Sequence, residues 1–378
     1  MTSPLPRSPD EVGPDWLTHV LRAHAGLETV RVTTCAVEPM KDAGQTAEVV
    51  RIHLACDRSS GAPASLVAKF ATRHAPTREL ARRYNSYVNE VRFYNTLAKG
   101  RDLPVPFAYA AELHDDGDFV LLLEDLGDLR PGNPFRSSVD DVRAGLRHLA
   151  RIHAAFWGQA VLDAQPWLRG PGANAWTAAL KQGLSQLVPA VRTFVGDQFS
   201  PTTFAAIDTW LEVWDTIVGY VPDTLTLVHV DAHPAQMLFP TPRRQRFALL
   251  DWQQAARGWA AVDVARLLLT GLSTADRRAH ERDLVAGYHA ELQRGGVADL
   301  SLERLWFRVA LASTSSFFIN AVAALQTDVT SIASAAAAEG ADWKACLFGR
   351  VDAAIKDWSV GDVLRAYCEE ARAAQAKS

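Results

Sequence analysis

A handful of polar residues set in otherwise apolar text could do chemistry. Asp231 and Gln236 lie in His229-Val-Asp231-Ala-His233-Pro-Ala-Gln236, and Asp251 ends the apolar run Phe247-Ala-Leu-Leu250. An aspartate with an amide a few residues on can orient or deprotonate a hydroxyl while the amide oxygen helps to hold Mg²⁺. A second aspartate can then grip the main metal ion. Upstream, Lys69 stands inside Leu66-Val-Ala-Lys69-Phe70, where an ammonium is costly unless paired. Glu90 follows on a helical stretch and is a candidate counter-ion. Bland readings stand beside these: Lys69 as a solvated edge-strand lysine, Glu90 as a solvated helix residue, the Asp231 segment as a structural loop. A third reading takes His229, Asp231 and His233 as metal ligands on one strand face, since alternate strand residues share a face and His with carboxylate binds Zn²⁺.

The elements that must position these groups can be read from hydrophobic pattern. Thr224–Gln253 reads as strand, polar loop, strand, turn, strand: apolar Leu225, Leu227 and Val228, then Met237–Phe239 and Phe247–Leu250 about a Pro/Arg turn. Its basic run, Arg243-Arg244-Gln-Arg246, is expected to be a solvated loop. Before it, strands are expected over 30–40, 47–56 and 65–71, with a turn at Lys41–Ala47 that contains Gly44. A helix is expected over Leu80–Leu97, and a further pair of strands over Ala110–His114 and Phe119–Leu123. The shift from Phe-Val-Leu-Leu-Leu123 to Glu124-Asp125-Leu126-Gly-Asp128 is the best domain boundary in the chain. Beyond it the text turns helical, with a helix start at Ser138–Asp141 and helices over 142–157, 176–195, 203–221, 262–269, 275–293, 302–325, 343–355 and 359–374. His153 reads as a satisfied core histidine. Trp306, Phe307, Phe317, Phe318 and Trp343 read mainly as core, with an acceptor-pocket wall as the alternative for some of them, and Asn320, Ser313, Ser315 and Ser316 are weaker candidates for polar pocket contacts.

Leu-Val-His-Val-Asp231-Ala-His-Pro-Ala-Gln236-Met-Leu-Phe, followed by Ala-Leu-Leu-Asp251-Trp-Gln and Gly-Trp-Ala-Ala-Val-Asp263-Val-Ala-Arg-Leu-Leu, resembles the corresponding segment of the aminoglycoside phosphotransferase and choline kinase-like superfamily. The Asp-Trp-Gln ending is most similar to its ecdysteroid kinase-like branch. The resemblance covers nearly the whole chain after residue 30. It implies an α+β, two-lobed, protein-kinase-like fold: a small antiparallel-sheet N-lobe with one main helix over 1–123, a hinge at 124–132, and a larger α-rich C-lobe over 133–378. It also implies transfer of phosphate from ATP, with Mg²⁺, to the hydroxyl of a small molecule. By motif position Asp231 matches the catalytic aspartate, Asp251 the Mg²⁺ carboxylate and Gln236 the second metal ligand. Lys69 and Glu90 match the phosphate-holding ion pair, and Asp263 a structural aspartate. Gly44, Gln45 and Thr46 match a phosphate-covering turn, and Glu124, Asp125 and Leu126 the main-chain contact to adenine. The chain departs from the pattern with Val230 for Gly, Gln236 for Asn, Trp252-Gln253 for Phe-Gly, and a single glycine in the covering turn. A catalytically impaired, kinase-like binding protein is therefore the alternative within the fold; peptide hydroxyls stay open as acceptors.

Composition sets the outer limits. The chain has 378 residues, 48% hydrophobic and 22% charged, which suits two soluble domains. A net charge of −4 argues against a generic nucleic-acid or anionic-membrane binder. Four cysteines without CxxC spacing signal neither a zinc site nor a disulfide framework and fit a reducing compartment. The N-terminus has no apolar signal core, so the expectation is a cytoplasmic protein that acts on a small hydroxylated molecule, without nucleic acid or membrane.

Overall fold

The computed structural model describes residues 4–40, 46–57, 61–172, 174–326 and 329–377. Gly44 and Gln45 lie outside them, so the expectation placed on these two residues is not tested. The chain divides into two compact units. The first comprises Met1–Arg130 with Pro240–Gln254, and the second Pro131–Phe239 with Ala255–Ser378. The segment 240–254, expected with the C-lobe, thus clusters with the N-terminal residues and brings Asp251 to them.

The first unit is built on five antiparallel strands in the order β1-β2-β3-β5-β4: β1 Val32–Pro39, β2 Ala47–Cys56, β3 Ser65–Ala71, β4 Ala108–Leu113 and β5 Phe119–Glu124. Alternation decides what each face holds. Leu66, Ala68 and Phe70 of β3 join Val50, Ile52, Val120 and Leu122 in a core covered by Trp16, Leu17, Val20 and Leu21 of helix α1, Pro14–Arg22. Lys69 falls between them and projects from the other face, in register with Leu121 of β5 and Val49 of β2. β5 is buried from Phe119 to Leu123, so β3 is an interior strand and Lys69 is no edge lysine.

The single helix expected over Leu80–Leu97 is broken. The chain forms α2 at Ala75–Arg83, α3 at Ser86–Arg92 and a π-helical turn at Phe93–Ala98. Between α2 and α3, Asn85 sits at φ 52°, in the left-handed region that asparagine tolerates better than most residues. The break lets α3 take its own direction with Tyr87, Asn89, Glu90 and Val91 buried.

The second unit is mainly helical: α4 Val139–Phe156, α5 Ala175–Val195, α6 Pro201–Glu212, α7 Trp214–Gly219, α8 Ala261–Gly271, α9 Thr274–Arg294, α10 Leu302–Gln326, α11 Thr330–Ala338, α12 Arg350–Asp357 and α13 Val360–Gln375. α4 starts where expected, with Ser138 and Asp141 closing a reciprocal capping box. The helix expected over 203–221 is instead two, because Val213 leaves helical geometry at ψ 11°. Phe317 and Phe318 lie in the core with Trp210, Trp214, Phe348 and Tyr367, as the sequence suggested. α10 is long and apolar enough to span a membrane, but 72% of its most apolar stretch is buried within the fold, as in a core helix. Two short antiparallel strands, Thr226–Val228 and Ala256–Gly258, carry the chain into and out of the Asp231 and Asp251 segments.

Candidate active site

The first unit gathers Lys69, Glu90 and Asp251. Lys69 Nζ donates to both Glu90 carboxylate oxygens at 2.7 Å and to Asp251 Oδ1 at 3.0 Å. The side chains are 11%, 2% and 22% exposed respectively, so the pairing is shielded from water. Burial alone would pull the Lys69 ammonium down. The charges of Asp251 and then Glu90 more than offset it, and the group is held above its ordinary value. One ammonium cannot neutralise two carboxylates, and the more buried acid responds. Burial pushes Glu90 from 4.5 up to about 7, against the pull of Lys69 and with Asp251 adding to the rise.

That shift has a sign that can be tested. Glu90 binds its proton more tightly folded than unfolded, so its contribution to stability is present below pH 4.5 and is lost as pH rises through about 7. The melting temperature of the wild type relative to Glu90→Gln is expected to fall as pH rises from about 5 to about 8. A difference that stays flat or grows over this range would contradict the assignment.

Asp251 is placed by its neighbours in sequence. Its own φ is 67°, a left-handed conformation uncommon outside glycine. Trp252 is fully buried and stacks on Phe93 with centroids 4.0 Å apart and planes within 4°. Gln253, buried as well, donates its side-chain N–H to Asp251 Oδ1 and accepts the Thr46 hydroxyl at 2.9 Å. Asn89 of α3 donates to the Gln253 main-chain oxygen at 3.0 Å. Trp252-Gln253, a departure from the family pattern on paper, is the anchor of the carboxylate in space.

The segment expected to face adenine is tied down by side chains. Asp125 accepts from Arg51 Nε and from the Ser65 hydroxyl, both at 2.7 Å, and from the Gly127 N–H at 2.9 Å. Glu124 takes Arg246 at 2.8 Å and also Arg244, which reaches Asp128 as well. The basic run is therefore not the solvated loop its composition suggested: two of its arginines brace 124–128. Leu126 is buried, and its carbonyl accepts from Leu129 N–H at 2.9 Å.

The second unit holds Asp231. The loop before it is fixed by Asp263 in the first turn of α8, whose fully buried carboxylate accepts the N–H groups of both His229 and Val230 at 2.7 Å. His153 Nε2 lies 3.1 Å from the same carboxylate, and its Nδ1 lies 2.7 Å from the Tyr288 hydroxyl. His153 is thus the satisfied core histidine expected, and Asp263 has the structural place the resemblance gave it. Gly132 shows how tightly the loop is held from the other side, since a Cβ there would sit 2.2 Å from the Pro234 carbonyl oxygen.

Val230 adopts φ 71°. For a β-branched residue this is an outlier, with a cost on the order of 1–3 kcal/mol that the two hydrogen bonds to Asp263 help to offset. Val230→Gly removes that strain at the price of a more flexible unfolded chain, so the urea midpoint is expected to rise by the equivalent of about 1 kcal/mol. A lowered midpoint would show that the conformation is not strained.

Asp231 itself is engaged by Arg266, one turn along α8 from Asp263. Arg266 Nε and Nη2 reach Asp231 Oδ1 at 3.0 and 2.9 Å, and its Nη1 donates to Asn320 Oδ1 at 2.6 Å. Asn320 in turn donates to the Leu347 carbonyl. Asn320 and Ser313 are both buried, with the Ser313 hydroxyl on the Ala310 carbonyl, so neither is the pocket contact first considered. His233 Nε2 stands 3.7 Å from Asp231 Oδ2, while His229 is buried. Among the described residues no three or more His, Cys, Asp or Glu form a group able to hold a metal ion. Gln236 follows in a 3₁₀ turn, Pro234–Gln236, its N–H on the His233 carbonyl at 2.9 Å.

The sheet order, the interior Lys69 with its helix-borne partner, and the Asp231 loop pinned by Asp263 belong to an α+β, kinase-like fold. Two solved structures share it. A protein from Ralstonia eutropha JMP134, provisionally described as an aminoglycoside phosphotransferase, is 16% identical over 90% of this chain and 96% of its own, with a TM-score of 0.52. Choline kinase from Cryptosporidium parvum Iowa II is 9% identical over 96% of each chain, with a TM-score of 0.51. A family model described as DUF1679, Uncharacterized oxidoreductase dhs-27, matches residues 193–305, the stretch that carries Asp231, Gln236, Asp251 and Asp263. No curated protein matches the chain.

Proposed function

We propose that the protein is an ATP- and Mg²⁺-dependent phosphotransferase that acts on a hydroxyl group of a small molecule, of the ecdysteroid kinase-like kind. The observation that carries this reading is the buried Lys69–Glu90–Asp251 cluster, with Lys69 Nζ 2.7 Å from Glu90 and 3.0 Å from Asp251. A buried cluster with one cation and two carboxylates is poorly explained as a stability device, since water solvates such groups better than protein does. It is well explained as a cradle for a metal and a polyphosphate. The donor set fits: a carboxylate and an amide oxygen suit Mg²⁺, and an ammonium suits phosphate oxygens.

In this reading Lys69, braced by Glu90, binds phosphate oxygens of ATP, and Asp251 and Gln236 hold Mg²⁺. Gly44, Gln45 and Thr46, the last at the start of the strand-β2 segment, are assigned to covering the phosphates, and main-chain groups of 124–126 take the adenine edge. Mg²⁺ would supply screening of the charge on the phosphate oxygens. Asp231 orients the acceptor hydroxyl and receives its proton at a carboxylate oxygen, while Arg266 fixes the plane of that carboxylate. Catalysis of this kind is mostly positioning and electrostatics. Incubation with labelled ATP and panels of hydroxylated metabolites, read by mass for an added phosphate, tests the reading and identifies the acceptor.

One observation favours the impaired alternative. Asp231 Oδ1 is already engaged by Arg266 at 2.9 Å, and its loop carries Val230 at φ 71°. A protein of that kind would bind ATP and give no labelled product with any acceptor, water included.

A further inference from the structure

Gln253 occupies a place that neither its sequence position nor the proposed chemistry assigns. The residue is 8% exposed, and its side chain is spent on two contacts: the amide N–H on Asp251 Oδ1 and the amide oxygen on the Thr46 hydroxyl at 2.9 Å. Its main-chain oxygen holds Asn89 of α3 at 3.0 Å, one residue from Glu90. Thr46 is secured in turn, because its carbonyl accepts the Tyr87 hydroxyl at 2.6 Å from the same helix. Tyr87 is itself stacked on Phe119 of β5 with centroids 4.5 Å apart.

These contacts form a closed circuit. The start of β2, the helix that carries Glu90, and the segment that carries Asp251 meet at one residue, Gln253, the first and last through its side chain and the helix through its main-chain oxygen. An aspartate in the left-handed region, as Asp251 is at φ 67°, has no helix or strand ladder to fix its direction. Two donors converge on its Oδ1, Lys69 Nζ and Gln253 Nε2. The ammonium is a rotatable point charge that a polyphosphate would compete for, whereas the amide is planar, held at its other end, and carries no net charge. Gln253 is thus a donor able to keep Asp251 in place when Lys69 turns to another anion.

We propose that Gln253 is the positioning residue for Asp251, and that through Thr46 and Asn89 it couples the metal-binding carboxylate to the start of β2 and to the Glu90 helix. This rests on the reading of Asp251 as the Mg²⁺ carboxylate. Gln253 touches no reacting atom in this account and acts through the carboxylate it holds.

The test separates metal-dependent from metal-independent binding, which a loss of fold would not do. The full chain and its Gln253→Leu, Thr46→Val, Thr46→Ser and Asp251→Asn variants are titrated calorimetrically with ATP, once with Mg²⁺ and once with a chelator, and melted in parallel. Asp251→Asn is expected to lose the Mg²⁺-dependent gain in ATP affinity. Gln253→Leu is expected to lower that gain about tenfold and leave chelated-ATP affinity within about twofold of wild type, the loss of a charge-assisted hydrogen bond. Thr46→Val is expected to lower it about threefold and Thr46→Ser, which keeps the hydroxyl, not at all. If Gln253→Leu does not fold, the contrast between Thr46→Val and Thr46→Ser decides the matter alone. A Mg²⁺-dependent gain lost in Asp251→Asn but intact in Gln253→Leu, or equal in both Thr46 variants, would overturn the positioning role. An intact gain in Asp251→Asn would overturn the reading of Asp251 itself.

Discussion

Asp231→Asn is expected to lower kcat by roughly 10²–10⁴, the usual span for a positioned acid–base group, with little change in the affinity for Mg·ATP. The amide keeps the size of the carboxylate and can still accept from Arg266, so the loop should hold. What it loses is the charge that orients a hydroxyl and takes its proton. Because Arg266 is buried and bonded to Asn320 as well, part of the penalty falls on stability. Rates are therefore compared on protein shown to be folded. Slow ATP turnover with water as acceptor serves until a better acceptor is identified. Turnover near that of the wild type would remove Asp231 from the catalytic role.

Lys69→Met should be as costly to the fold as to nucleotide binding. The methionine fills similar volume but leaves Glu90, whose side chain is 2% exposed, and Asp251 without their shared cation. Removing one partner of a buried pair costs about 3–5 kcal/mol, and urea denaturation should show a loss of that size near neutral pH. The double variant Lys69→Met/Glu90→Gln should recover most of it, because the more deeply buried of the two orphaned charges is gone. Its Mg·ATP affinity should stay low, because the phosphate-binding ammonium is gone too. A single variant as stable as the wild type would mean that the cluster is more open to water than its geometry implies.

The residues that were legible in the sequence are those that violate a local pattern. Lys69 breaks the apolar text of an interior strand, and Asp251 ends an apolar run; both signals come from the chain's own alternation. Asp263 and His153 were placed by resemblance and by a helical face, and the structure buries both at one hydrogen-bonded centre. The ends of most long helices were legible too, for Ser138 and Asp141 announce a capping box before the fold is known.

What was not legible depends on partners distant in sequence. Gln253 looks like a departure from the family pattern until Thr46 and Asn89 are seen to meet it. Arg266 is one arginine in an apolar helix, and its burial was the available signal: an arginine there needs a carboxylate, and Asp231 is the one it finds. Arg244 and Arg246 read as a solvated run because charge runs usually are, and only the fold brings Glu124 and Asp128 within reach. The break at Asn85 and the one at Val213 were missed because helical periodicity continues across both. Asparagine at the first was a usable hint.

The most direct test of the central claim is calorimetric titration of ATP into the wild type and into Asp251→Ala, each with and without Mg²⁺. The account predicts that Mg²⁺ tightens ATP binding to the wild type and has no such effect on the variant. ATP binding that ignores Mg²⁺ in the wild type, or a variant that responds to the metal as the wild type does, would contradict it.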